Sequence, residues 1–132
     1  MNIYLDASAI IYGIEGKEEL RGVVLDWIAK TESRGGIFLT SLLSRLECRV
    51  LPLRRGQTEL IARYDAFFLS RSLIVVDIGS SVIDLATDLR VGYGLKTPDA
   101  IHVATAMECG ADLILTGDRD TTRCKDIRVE MV

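Results

Sequence analysis

Short runs of consecutive apolar residues recur at residues 3–5, 37–39, 73–76 and 113–115, and the longer segments between them repeat their apolar residues every three or four positions. A half-exposed strand alternates apolar with polar residues, whereas a strand covered on both faces reads as an unbroken apolar run. Strands of the second kind alternating with helices imply a parallel sheet between helical layers. The predicted fold is therefore α/β: a three-layer α/β/α sandwich on a mostly parallel sheet of four to five strands. The 132 residues suit one such domain, residues 1–132, burying roughly two-thirds of the surface its unfolded chain exposes.

The first strand runs straight into a helical turn at Asp6, with no glycine before Gly13. Between Lys17 and Ser33, residues Leu20, Val23, Val24, Trp27 and Ile28 share one helical face, and Gly35-Gly36 stops that helix. Thr40-Ser41 is a hydroxyl pair suited to cap the next helix, which carries Leu42, Leu43, Leu46, Val50 and Leu51 and weakens at Pro52 and Gly56. Leu60, Ile61, Tyr64, Phe67 and Phe68 continue the helical spacing to Ser70, giving a helical hairpin whose aromatic residues face the core. Ser80-Ser81 opens a helix closed by Gly92 and Gly94, with Val82, Leu85, Ala86 and Leu89 inward. In Lys96-Thr97-Pro98-Asp99, a capping hydroxyl precedes a proline at the first helical position and a carboxylate in the first turn. That helix runs to Gly110, before a strand at 112–116, a turn at 117–120 and a short last strand within 127–132.

Composition removes several function classes. No segment approaches the ~18 apolar residues of a membrane span, and the first residues lack the basic and apolar regions of a signal peptide, so a soluble cytoplasmic protein is expected. Cys48, Cys109 and Cys124 are odd in number and never in a C-x-x-C arrangement, which speaks for reduced, buried thiols rather than disulfides or structural zinc. The net charge of −3 is the wrong sign for holding nucleic acid by bulk electrostatics, so a polyanionic partner needs a local site.

The acids supply that site. Asp6 follows the first strand and Asp118 lies two residues past Thr116, so both fall on the carboxyl edge of the sheet, where ligands of such folds bind. Asp99 opens a helix on the same edge, and Glu47, about two turns into the helix after the second strand, is expected to lean back toward them. Close carboxylates raise one another's pKa values unless a hard cation neutralises them. Mg²⁺ or Mn²⁺ suits oxygen ligands together with substrate phosphate, and it activates water for in-line attack on a phosphodiester. Ser8 and Thr116 are placed to bond metal-bound water or to hold the carboxylates.

Four pieces of the chain together resemble PIN-domain ribonucleases, and among them the VapC-type toxins of bacterial and archaeal toxin–antitoxin pairs. They are Asp6-Ala7-Ser8, the early-helix acid Glu47, Thr97-Pro98-Asp99-Ala100-Ile101-His102-Val103-Ala104-Thr105-Ala106, and Leu115-Thr116-Gly117-Asp118-Arg119-Asp120. The likeness covers almost the whole chain, and the last two pieces in this order are its specific part. It implies a metal-dependent endoribonuclease acting on RNA, with Asp6, Glu47, Asp99 and Asp118 as acidic quartet, a homodimer, and a cognate antitoxin whose peptide arm blocks the cleft. Family members often carry an aromatic residue soon after the fourth acid. Here Thr121-Thr122 follow Asp120, which makes Asp120 a substitute or additional ligand.

Each residue also has a plainer reading. Asp6 is equally a helix cap, Asp99 a partner of the helix dipole, and Glu47 half of an ion pair with Arg45 or Arg49. His102, the only histidine, reads as a hydrogen-bonded packing residue rather than a general base. Arg45 and Arg49 head a local excess of arginine over residues 41–71 that would match RNA phosphates, or would only solvate a helix face. Asp77, Asp84, Asp88 and Asp112 read as caps or solvated positions. Two other functions compete: a PIN-like scaffold without catalysis, and a receiver domain phosphorylated on Asp77. The receiver lacks the required second acid beside Asp6 and a lysine after the last strand.

Overall fold

A computed structural model describes all 132 residues. Its five strands are β1 (Asn2–Leu5), β2 (Ile37–Ser41), β3 (Leu73–Val76), β4 (Leu113–Thr116) and β5 (Arg128–Met131). Six helices connect them: α1 (Ala7–Glu15), α2 (Glu18–Ser33), α3 (Leu42–Arg54), α4 (Thr58–Phe68), α5 (Ser80–Tyr93) and α6 (Thr97–Glu108), with a 3₁₀ turn at Arg119–Arg123. The sheet is parallel throughout, in the order β3-β2-β1-β4-β5. The chain thus starts at the centre, builds outward through β2 and β3, and crosses back to lay β4 on the free side of β1. The direction of winding reverses between β1 and β4, where Leu5 pairs with Leu115. Open α/β sheets place their ligands at the carboxyl end of such a switch point.

The unbroken apolar runs of β1, β2 and β4 are explained by two cores, whereas β3, expected to be buried, is an edge strand with Ile74 46% exposed. Ile3, Leu5, Leu113 and Leu115 pack with Ile10, Tyr64 and Phe68 from α1 and α4 on one face of the sheet. Tyr4, Leu39 and Ile114 pack with Leu89 and Val103 from α5 and α6 on the other. Successive residues of β1 thereby serve opposite cores, and Ile3, Tyr4 and Leu5 are all at most 1% exposed.

Several local expectations need correction. Helix α1 passes through Gly13 and ends at Gly16; a Cβ on Gly13 would stand 2.9 Å from Val24 Cγ1, so the glycine lets α1 approach α2. Thr97 does not cap α6, since Lys96 is the capping residue and the Thr97 hydroxyl accepts a hydrogen bond from Arg90 Nη1 at 2.7 Å. Thr40 and Ser41 do not cap α3 through their hydroxyls. Thr40 Oγ1 donates to Leu5 O at 2.7 Å, and Ser41 Oγ lies 3.0 Å from the Tyr4 hydroxyl. The leucine-rich spacing of α3 marks its outer face, with Leu42, Leu46, Val50 and Leu51 between 41% and 58% exposed, while Ser44, Cys48 and Pro52 point inward. The three thiols are free, but Cys109 is only partly buried. Residues 117–120 are less a turn than the entry to the 3₁₀ segment, which Asp118 caps. The aromatic residues of α4 do face the core, with Tyr64 and Phe68 buried and Phe67 partly so.

Candidate active site

Asp6 ends β1 and caps α1, so its carboxylate is drawn to the switch point by the backbone it terminates. Oδ1 accepts from the Ala9 amide at 2.9 Å and from Ser8 Oγ at 2.6 Å. Oδ2 accepts from the hydroxyl of Thr116 at the end of β4. The two hydroxyls, 3.3 Å apart, are themselves acceptors for the loop that follows: Gly117 N–H donates to Ser8 Oγ at 2.8 Å, and Asp118 N–H donates to Thr116 Oγ1 at 2.9 Å. Backbone amides thus polarise two hydroxyls, and the hydroxyls hold one carboxylate. Ser8 and Thr116 occupy the holding positions expected for them.

Gly117 contributes a feature the sequence did not disclose. A Cβ there would fall 2.1 Å from Cε2 of Tyr12, so the ring of Tyr12 on α1 lies directly on the backbone that carries Asp118. Asp118 in turn fixes the next turn, its Oδ1 accepting from Asp120 N–H at 2.9 Å. Asp120 faces the other way, with Oδ1 3.3 Å from Arg123 Nη2.

Asp99 lies in the first turn of α6, and the helix brings its carboxyl against Asp118 and Asp6. Burial, then the charge of Asp118 and a hydrogen bond shared with it, then the charge of Asp6, push the Asp99 pKa up to about 6; His102 pulls in the opposite direction. Asp99 therefore feels the charge of both Asp118 and Asp6. Glu47 turns one oxygen to another partner, its Oε1 lying 2.6 Å from His102 Nε2. Arg45 and Arg49 lie two residues either side of Glu47, about 200° away around α3, and line a separate recess against α4. There Arg49 Nε stands 3.0 Å from Asp65, and Arg45 is exposed. Asp77, the phosphoacceptor of the receiver alternative, is exposed beyond the edge strand β3 and off the switch point.

An all-oxygen set of three carboxylates with two hydroxyls behind them has the donor chemistry of a hard divalent cation. The mutual repulsion recorded at Asp99 is what such an ion relieves. As they stand, the side chains do not close into a three-donor cluster. Both oxygens of Asp6 are engaged by donors, and an ion here would screen Asp99 from the charge of Asp118. A recess of about 500 Å³ between α5 and α6 is lined by none of these acids. The chemistry belongs to the acids, and the recess is only a groove between two helices.

Comparison with known proteins bears on the fold that carries these residues. The sequence profile of the PIN domain matches residues 3–127. No curated protein sequence matches the chain. Among solved structures, the chain is similar to VapBC2 from Rickettsia felis bound to a DNA fragment from their promoter, with TM-score 0.76, 16% identity, and 100% of this chain and 99% of that one covered. It is also similar to VapC20 of Mycobacterium tuberculosis, a Sarcin-Ricin loop cleaving toxin, with TM-score 0.73, 18% identity and coverage of 91% and 92%. A toxin–antitoxin complex from Klebsiella pneumoniae gives TM-score 0.71, 19% identity and coverage of 97% and 95%.

Proposed function

This chain belongs to the PIN domain family, and from that membership we propose that it is a divalent-metal-dependent endoribonuclease, the VapC-type toxin of a toxin–antitoxin pair. The observation that carries the reading is Asp99, an acid at the switch point whose pKa is lifted to about 6 by burial first and then by the charges of Asp118 and Asp6. Crowded, partly buried carboxylates at a sheet's carboxyl edge make a cation site of low occupancy cost and a functional candidate.

In this reading Asp6, Asp99 and Asp118 hold Mg²⁺ or Mn²⁺. When bound, the ion lowers the pKa of water and neutralises the phosphate under attack. The chain's own residues do the rest. Ser8 and Thr116 fix both oxygens of Asp6, so that the site does not have to reorganise as charge develops. Tyr12 and the bare backbone of Gly117 hold the Asp118 loop against α1. Asp120, engaged with Arg123, is a reserve ligand only. Exposed Arg45, and Arg49 beyond its pairing with Asp65, are the guanidinium groups offered to RNA phosphate.

An antitoxin and a second copy of the chain are the proposed protein partners. Support comes from fold likeness to proteins solved as toxin–antitoxin complexes. No helix is long and apolar enough to cross a membrane. The test is cleavage of a mixed cellular RNA pool by the purified chain with Mg²⁺ or Mn²⁺, beside chelator and Asp99→Asn controls. Cutting that vanishes in both controls establishes the activity; no cutting, or equal cutting by the variant, favours a binding scaffold.

A further inference from the structure

Glu47 and His102 form a contact that the acidic cluster does not need for its own assembly. His102 lies one turn beyond Asp99 on α6 and is 3% exposed. Its Nε2 meets Glu47 Oε1 at 2.6 Å, joining α6 to α3 across the end of the sheet. An ionised carboxylate only accepts, so the ring nitrogen facing it carries the proton. The other nitrogen, Nδ1, lies 2.8 Å from the hydroxyl of Tyr4, which reaches on to Ser41 Oγ at 3.0 Å. Tyr4 and Ser41 are fully buried, on the two adjacent central strands. The imidazole is therefore gripped at one nitrogen by the rigid sheet and presents the other to a half-buried acid.

A histidine that merely filled space needs neither contact, and the apolar residues around it on α6 fill space without them. We propose that His102 is a positioning residue, which holds Glu47 at the rim of the acidic cleft so that its charge acts on the bound cation without crowding Asp6, Asp99 and Asp118. This rests on the metal-dependent reading above. Outer partners of this kind typically change metal affinity or activity by about 10- to 100-fold when removed.

The test is a mutant cycle read by Mn²⁺ calorimetry on the folded chain, with RNA cleavage as a second readout. His102→Leu is expected to weaken Mn²⁺ binding by about tenfold, and His102→Gln, whose amide can still donate to Glu47, to recover most of that loss. In a Glu47→Ala background His102→Leu is expected to add nothing, because the residue acts through Glu47. In the metal-free chain a sharp, exchange-protected imidazole Nε2–H NMR signal is expected, broadened or lost in Glu47→Ala. The inference is overturned if Leu and Gln variants are equally impaired, if the effects of Glu47→Ala and His102→Leu simply add, or if the NMR signal ignores Glu47. A wild-type chain that binds no Mn²⁺ while keeping that signal defeats the nuclease reading instead. Thermal melts identify any variant that has lost its fold, and Tyr4→Phe, which spares the core, then gives the independent arm: a loosened ring and an intermediate loss of affinity.

Discussion

Asp99 and Glu47 stand at the same edge of the same sheet, and their settings are opposite. Asp99 is pressed among like charges, and its ionisation is opposed by burial and by Asp118 and Asp6. Glu47 faces a donor, the His102 ring, which is anchored in turn by Tyr4. One carboxylate is held in a state that a cation would relieve, the other in a state already satisfied. Under the proposed function the contrast separates a residue that binds from a residue that is positioned, although the resemblance places both in one acidic quartet.

Replacing Asp99 tests the contrast most severely. Asp99→Asn is expected to lower RNA cleavage by at least about 10²-fold while stabilising the metal-free chain at neutral pH by roughly 1–3 kcal/mol, the lower end applying if water screens the cleft. The sign follows from linkage. A carboxyl with a folded pKa of about 6, against 3.8 ordinarily, binds its proton more tightly when folded, so its cost appears as pH rises through that interval and is complete above it. Urea unfolding at pH 7 and again below pH 4 checks this, with the gain present only at the higher pH. An equivalent gain from Glu47→Gln would erase the distinction between the two acids.

Gly117→Ala is expected to cost about 1–3 kcal/mol and most of the activity, because the added methyl collides with Tyr12. Tyr12→Ala in the same chain should restore the fold by making room. Calorimetry across pH gives a smaller effect. Divalent-cation affinity is expected to rise by about tenfold between pH 5 and pH 6.5 as Asp99 gives up its proton, and a flat profile would mean that Asp99 is not a ligand. Smallest of all, Arg45→Ala is expected to raise KM for RNA about two- to fivefold with kcat unchanged; a fall in kcat would bring α3's outer face into the chemistry.

Much of this arrangement was legible before any coordinates. The continuous apolar runs specified parallel strands, buried at β1, β2 and β4 but not at the edge strand β3, and the strand ends pointed to Asp6, Thr116 and Asp118. That inference survives because a strand's terminus and its sheet edge are local properties. Capping was misread at Thr97 and Thr40-Ser41, since a hydroxyl competes among all nearby acceptors and the sequence does not show which one is near. The outward leucines of α3 were indistinguishable by spacing from a core face, and the true inward row is made of Ser44, Cys48 and Pro52. His102 was correctly read as a bonded packing residue, but its partners Tyr4 and Glu47 lie on other elements and no periodicity links them. The contact of Tyr12 with Gly117 was invisible for the same reason.

The order of the strands has one more consequence. Asp6 follows β1, yet the hydroxyl that holds its Oδ2 comes from Thr116, more than a hundred residues later, on the strand that lies on the opposite side of β1 from β2 and β3. Asp99 and Asp118 likewise come late in the chain. Without β4 and the segments around it the sheet lacks both Asp99 and Asp118, so the three acids come together only in a chain whose last strands are in place beside β1.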